Sequence, residues 1–283
     1  MKKRKTKSWL ALEAGREVFL WVGGIIFLLP FVWMILGSFK TQAEITRIPM
    51  TLLPENWLLS NFYNVFALID VPRLFFNSLF IAVTTTLGTL ITSSMAGYAL
   101  AKMRFRGSNF LFLLIFTTMV IPYFLTLIPS YVIVYRLGLI NSYWAVILPG
   151  LANSFGVFMM RQFILSVPND LLDAARIDGY GEFRILWKIV LPLCTPALAS
   201  LGIFSFMWSF QDFLWPMLVL SHRDVMTLQV GINYLQSVRA GVLNYQYAMA
   251  GSAIAIIPVL VVFLAMQDKI IQGVTITGMR GGA

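Results

Sequence analysis

Residues 166–192 read SVPNDLLDAARIDGYGEFRILWKIVLP, a polar and charged stretch set between two long apolar runs. Its opening carries helix-start chemistry. Ser166 is suited to cap, Pro168 to the first turn, and Asp170 to the positive end of a helix. Leu171, Leu172, Ala174, Ala175 and Arg176 are good helix formers. Gly179 tolerates the left-handed conformation that ends a helix. A second helical stretch is predicted from about Glu182 to Val190, ahead of Pro192. The segment therefore reads as a short amphipathic helix, a turn, and a helix returning to the membrane. Such a knob fits a groove in a partner; the alternative is an interfacial helix with no partner.

The runs on either side set the class. Of the 283 residues, 59% are hydrophobic and 12% are charged, where soluble domains carry about 25% charge. One soluble core cannot hide that much apolar surface, whereas lipid tails solvate it. A bilayer core of about 30 Å takes roughly 20 helical residues to cross. Six segments qualify, at about 18–39, 74–100, 109–135, 143–163, 194–220 and 245–267. Backbone groups in lipid must bond internally, so each is a helix and the chain is an all-α, polytopic membrane protein.

Basic residues set the orientation. With the amino terminus inside, Lys40, Arg47, Arg73, Arg136, Arg223 and Arg239 fall outside, and the remaining fifteen of the 21 lysines and arginines fall inside. Both termini are therefore expected in the cytoplasm. The net charge of +9 is read as this topology signal and not as a nucleic-acid footprint. The basic start followed by an apolar run resembles a signal peptide, but 18–39 is too long for one and is expected to be retained. The organisation is a cytoplasmic segment 1–17, one domain 18–268 with the internal loop at about 164–193, and a cytoplasmic tail 269–283. The external loop 40–73 holds Pro49, Pro54 and Pro72 and is expected to be partly irregular.

Cys194 and His222 are the single cysteine and histidine, which argues against a Cys/His metal site; Cys194 is expected to pack. Pro30, Pro122, Pro129, Pro149, Pro216 and Pro258 fall in spans and should bend them. Polar side chains inside spans are costly and are functional candidates. Asp212 is the one carboxylate in a predicted span. Gln211 is next to it, and Trp208 and Trp215 are placed to share its helix face. An indole beside a hydrogen-bonding group suits a sugar, and an aromatic belt with a hydrated Asp212 is the other reading. Asn153 and Ser154 in the fourth span, and Asn77 at the start of the second, are further candidates for lining a path or bonding between helices. Tyr98 and Tyr131 read as packing residues, with lining the path as the alternative. The chain has no G-x-x-x-x-G-K-[ST] phosphate loop and no H-E-x-x-H.

The loop resembles a known family. Asp173-Ala174-Ala175, three residues, Gly179, nine residues, Ile189, then Leu191-Pro192 is similar to the EAA loop of bacterial ABC importer permeases. The departure is Asp173 where the family has glutamate. The segment FMWSFQDFLWPMLVL, residues 206–220, and the tail after Gln267 are similar to carbohydrate-uptake permeases of the MalG type, and the resemblance covers nearly the whole chain.

The resemblance implies a type I ABC importer permease fold. It implies that Leu171, Leu172, Asp173, Ala174, Ala175, Arg176, Asp178 and Gly179 form the coupling helix that docks into a separate ATPase. It implies as partners a second, larger permease, a dimer of ATPase subunits that bind ATP and magnesium, an extracytoplasmic solute-binding protein and a sugar, in the bacterial inner membrane, with no cofactor in this chain. Two other classes remain: an integral membrane enzyme, which would need a catalytic cluster at the interface, and a secondary transporter, which would need ion-coupling residues at mid-membrane.

Overall fold

The computed structural model describes residues 7–237 and 244–278, and it is helical, with no strand among the described residues. The first six residues, Arg239 and the last five residues of the predicted tail lie outside them. The chain divides into two compact units, one of residues up to Ile69 together with Ile232–Ile256, the other of Asp70–Gly231 together with the chain from Ile257 onward.

In the first unit, helix α1 (Lys7–Gly37) is followed by α2 (Gln42–Thr46) and α3 (Ser60–Leu68). Within α1, Gly15–Gly37 contains an 18-residue stretch with a mean hydropathy of 2.4, none of it buried. Phe19 and Phe27 are 76% and 79% exposed. At about 25 cal/mol per Å2 of apolar surface, such a helix is unstable in water and stable in lipid. The predicted external loop is irregular between α2 and α3, yet it is ordered around a buried charge. Lys40 is 1% exposed. Its ammonium donates to the Thr51 carbonyl and, at 3.1 Å, to Thr51 Oγ1, and lies 3.9 Å from Glu44 Oε1. Glu44 Oε1 accepts from Thr51 Oγ1 at 2.9 Å and from the Glu55 amide at 3.0 Å. Asn61 Nδ2 donates to the carbonyls of Ser38 and Lys40, both at 2.9 Å. Where the chain returns to this unit, the Tyr245 amide donates to Gln42 Oε1 at 2.9 Å and Asn64 Nδ2 to Tyr247 Oη at 3.2 Å.

The second unit is built on α4 (Val71–Lys102), whose N-terminus is capped by Asp70 accepting from the Arg73 amide at 3.2 Å. Then come α5 (Ser108–Thr118), α6 (Tyr123–Arg136), α7 (Trp144–Gly150) and α8 (Ser154–Leu165). The polar segment supplies α9 (Asn169–Ile177) and α10 (Glu182–Ile185), a π-helical stretch Leu186–Val190, and α11 (Leu191–Leu193). Helices α12 (Thr195–Gln211), α13 (Leu214–Val219), α14 (Leu228–Ser237) and α15 (Tyr245–Gly278) complete the chain. Pro192 brings no amide proton to the ladder, and the turn before it is π rather than α. Cys194 is buried, as expected, at the bend between α11 and α12.

Helices α8 and α12 pack along α4. Small residues set the approach. A Cβ on Gly97 would stand 2.9 Å from the Arg161 amide nitrogen and 2.9 Å from Met160 Cβ, and one on Gly156 would collide with Ser93 Oγ. Gly97→Ala is therefore expected to destabilise the folded protein by about 1–3 kcal/mol through overpacking. Gly24→Ala on α1, where a Cβ meets nothing within 4 Å, should be neutral or slightly stabilising. Thermal melts of the two variants in detergent check the contrast.

The six predicted spans fall on helices, but among the described residues only two, Gly15–Gly37 and Val71–Lys102, are single helices long and apolar enough to cross a bilayer; counting bent pairs as one span gives up to four. The predicted 109–135 span bends by 102° between α5 and α6, where Pro122 precedes the second helix. The 143–163 span is interrupted at 151–153 and the 194–220 span at 212–213. At the 151–153 break, α4 supplies the missing partners. Thr89 Oγ1 donates to the Gly150 carbonyl at 3.1 Å and Thr92 Oγ1 to the Leu151 carbonyl at 2.8 Å. Asn153 Oδ1 accepts from the Gly156 amide at 2.7 Å and caps α8. Irregular backbone at membrane depth survives only with such rescue.

Candidate functional site

Helix α9 buries Leu172 (1% exposed) and Ala175 (5%), three residues apart, against Tyr98, Met160, Ile164 and Ile185. The opposite face is open: Leu171 is 47% exposed, Ile177 is 87% exposed, and Ala174, Asp173 and Asp178 are exposed with them. Gly179 ends the helix at φ +80°, with the Tyr180 amide donating to the Ala175 carbonyl at 2.9 Å. The predicted turn residue is thus in the predicted conformation. The predicted cap is not. Pro168 stands at the N-cap of α9 with no side-chain bond, and Ser166 instead closes α8, its Oγ donating to the Phe163 carbonyl at 2.7 Å. The second helical stretch runs past Val190 and through Pro192 to Leu193.

Charges tie this segment to α4. Arg176 Nη1 donates to Asp173 Oδ1 at 2.6 Å, and its Nε and Nη2 donate to the two Glu182 oxygens at 2.8 and 3.3 Å. The same Glu182 carboxylate accepts from Tyr98 Oη. The Arg176 hydrogen bonds hold the Glu182 carboxyl below its usual range, and Glu182, with Asp173 adding to it, pushes the Arg176 guanidinium above its own. Lys102 Nζ donates to the Val167 carbonyl at 2.6 Å and to Asn169 Oδ1 at 2.9 Å. A cavity of about 540 Å3 lies beside these groups, lined among others by Lys102, Arg104, Asn169, Asp173 and Arg176. The roles of Tyr98 and Lys102 are not visible in the sequence, because the Tyr98–Glu182 and Lys102–Val167 partners stand 84 and 65 residues apart.

The candidate path residues separate. The face predicted to hold Trp208, Asp212 and Trp215 does not form, because α12 ends at Gln211. Asp212 takes an extended backbone at φ −62° and ψ 126°, and the short polar side chain of an aspartate disfavours helix interiors. Asp212 and Trp215 remain together in a cavity of about 180 Å3, with Tyr123, Ser130 and Pro149. The Trp215 indole is not a free platform: it is 5% exposed and its Nε1 donates to the Ala145 carbonyl at 2.9 Å. Trp208 is 55% exposed and meets Phe155 edge-on at 5.7 Å. Gln211 is exposed. Asn153 and Ser154 line a separate cavity of about 420 Å3, where Ser154 Oγ and Thr118 Oγ1 are 2.6 Å apart.

Asn77 lines neither cavity. It is 1% exposed, donates to the carbonyls of Asp224 and Met226 at 3.0 and 2.9 Å, and accepts from Tyr143 Oη at 2.7 Å. It fastens the 224–226 turn to α4.

The site is thus a helix with one seated face and one open face, ended by a left-handed glycine and set among broken apolar helices. The family model described as "Binding-protein-dependent transport system inner membrane component" matches residues 88–276. The chain belongs to this family. It is a polytopic membrane permease, and its fold is that of a type I ABC importer permease. Among curated permeases, it is 38% identical over 285 residues to the arabinooligosaccharides transport system permease protein AraQ of Halalkalibacterium halodurans, covering 99% of this chain and 100% of that one. It is 32% identical to the lactose transport system permease protein LacG of Rhizobium radiobacter, covering 89% and 91% of the two chains. It is 30% identical to the sn-glycerol-3-phosphate transport system permease protein UgpE of Yersinia enterocolitica, covering 93% and 95%. Among solved structures, a chain of a bacterial ABC transporter involved in the import of the acidic polysaccharide alginate superimposes with a TM-score of 0.81 at 24% identity, covering 94% of the permease and 99% of that chain.

Proposed function

We propose that this permease pairs with a second, larger permease in a bacterial inner-membrane importer for a sugar, driven by a dimer of separate ATPase subunits and fed by an extracytoplasmic solute-binding protein. The single observation that carries the reading is the α9 knob, which seats Leu172 and Ala175 inward and leaves Leu171, Ala174 and Ile177 open. Apolar groups left open at i, i+3 and i+6 on a polar loop match the helix-in-groove mode of recognition. The excess of basic residues on the 164–193 side supports placing that loop, and both termini, in the cytoplasm. ATP and magnesium bind in the partner subunits. Closure of those subunits moves α9, and the spans alternate between inward-open and outward-open states. The sugar class rests on the names of the relatives.

The test is purification of the tagged permease in mild detergent from cells expressing its whole transport system. An ATPase and a second permease are expected to co-purify. Arabinooligosaccharide, lactose and sn-glycerol 3-phosphate are then offered in turn with the binding protein, and one of the two sugars is expected to raise ATP hydrolysis. Uptake that persists in cells without ATP and without a co-purifying ATPase would overturn the reading.

A further inference from the structure

We infer that the last turn of α4 holds the coupling helix α9 at both of its ends, with Tyr98 and Lys102 as positioning residues that turn α9 motion into α4 motion. This rests on the coupling role proposed above and extends it to residues outside the loop motif.

Tyr98 and Lys102 are four residues apart, so they stand one above the other on one face of α4. Lys102 takes the start of α9. Its ammonium donates to the Val167 carbonyl, to Asn169 Oδ1 and, at 3.4 Å, to the Leu165 carbonyl. It therefore bonds the end of α8 and the first residue of α9 together. Tyr98 takes the far end indirectly: its hydroxyl donates to Glu182, whose two oxygens are forked by Arg176 in the last turn of α9. Asp173 completes the fork from within α9.

Between the two attachments, the Leu172 and Ala175 contacts supply adhesion but no direction, since apolar packing lets a helix slide or roll. Hydrogen bonds with fixed donors at two separated points remove that freedom. A single attachment would let α9 swing about it. Two attachments force any displacement of α9 onto α4, which runs from Lys102 back to Val71 and carries α8 and α12 along its length. Glu182 stands where the returning chain starts toward α12, so the same carboxylate also keeps the next helix in register with α9.

The experiment uses the complete complex, with its ATPase, second permease and binding protein, in proteoliposomes. The readout is the number of sugar molecules moved per ATP hydrolysed, with the sugar that stimulates the wild-type complex. Tyr98→Phe keeps the ring in the core and removes only the hydroxyl. Glu182→Ala removes the bridge.

Glu182→Ala is expected to lower the transport-to-ATP ratio about tenfold while hydrolysis stays within about twofold of wild type. Tyr98→Phe should lower it by about threefold. The double variant should be no worse than Glu182→Ala alone, because the hydroxyl acts only through that carboxylate. Glu182→Gln, which keeps an acceptor oxygen, should fall between. A wild-type ratio in Glu182→Ala overturns the proposal, whether both activities persist or both fall in step. So does additivity of the two losses. If the wild-type complex itself contains no ATPase, the coupling reading has failed. If the wild type couples and Glu182→Ala couples equally well, only the clamp has failed.

Discussion

Ile177→Asp is expected to leave the permease folded in the membrane and to strip it of its ATPase partner. The side chain is 87% exposed on the last turn of α9, so the folded chain loses almost nothing when it is replaced. On the docking role proposed for α9, the same side chain enters an apolar groove of the ATPase. A charge there forfeits the contact and carries an unpaired carboxylate into a desolvated site. Central interface residues of this kind cost about 2–4 kcal/mol on truncation, and about 1.4 kcal/mol is tenfold in affinity. Binding should weaken by roughly 30-fold to 1,000-fold. The measurement is the amount of ATPase recovered with the tagged permease, beside the thermal melt of the permease alone. Leu172→Ala is the opposite case. Leu172 is 1% exposed, and its truncation should lower the melt by the equivalent of about 2–5 kcal/mol. An Ile177→Asp variant that retains its ATPase would move the docking face off α9.

Lys40→Met is expected to destabilise the first unit by about 3–5 kcal/mol. Lys40 and Glu44 side chains are 1% and 5% exposed, and removing one partner of a buried pair leaves the other charge uncompensated. Here it also leaves the Thr51 carbonyl without its donor. The methionine stem keeps the packing against the Trp33 ring, which lies 4.9 Å from the ammonium. The loss is therefore electrostatic and should be partly relieved by adding Glu44→Gln. Thermal unfolding in detergent reads both variants, and a Lys40→Met melt equal to wild type would show that the pair contributes nothing.

Local chemistry was legible in the sequence, and distant partnership was not. Gly179 was readable because a glycine after a run of helix formers has one common use, and the backbone adopts it at φ +80°. Leu172 and Ala175 stand with the rest of the loop as docking residues in the sequence, whereas the fold seats both inward, at 1% and 5% exposure. The predicted cap at Ser166 failed because Pro168 intervenes and starts the helix itself. The shared face of Trp208, Asp212 and Trp215 failed because a helical wheel assumes an unbroken helix, and the backbone at Asp212 is extended instead, at φ −62° and ψ 126°.

Asn77 carries the same lesson from the other side. Its polarity within an apolar run is visible in the sequence. Its partners, the carbonyls of Asp224 and Met226 nearly 150 residues later, are not. The buried Lys40 was read as one of the basic residues that set topology, since composition gives charge but not burial.

The threonines that face the 151–153 break give the permease a particular kind of compliance. The interlock of Gly97 with Met160 and of Ser93 with Gly156 makes α4 and α8 one stiff rod, so flexure is confined to the joints. At this joint no helical hydrogen bond has to snap, because the Gly150 and Leu151 carbonyls already belong to hydroxyls on the rod. Turning α7 past α4 then means handing each carbonyl to another hydroxyl or to water, in steps of about 1 kcal/mol. The joint is therefore expected to turn through small exchanges of this size and not over one tall barrier.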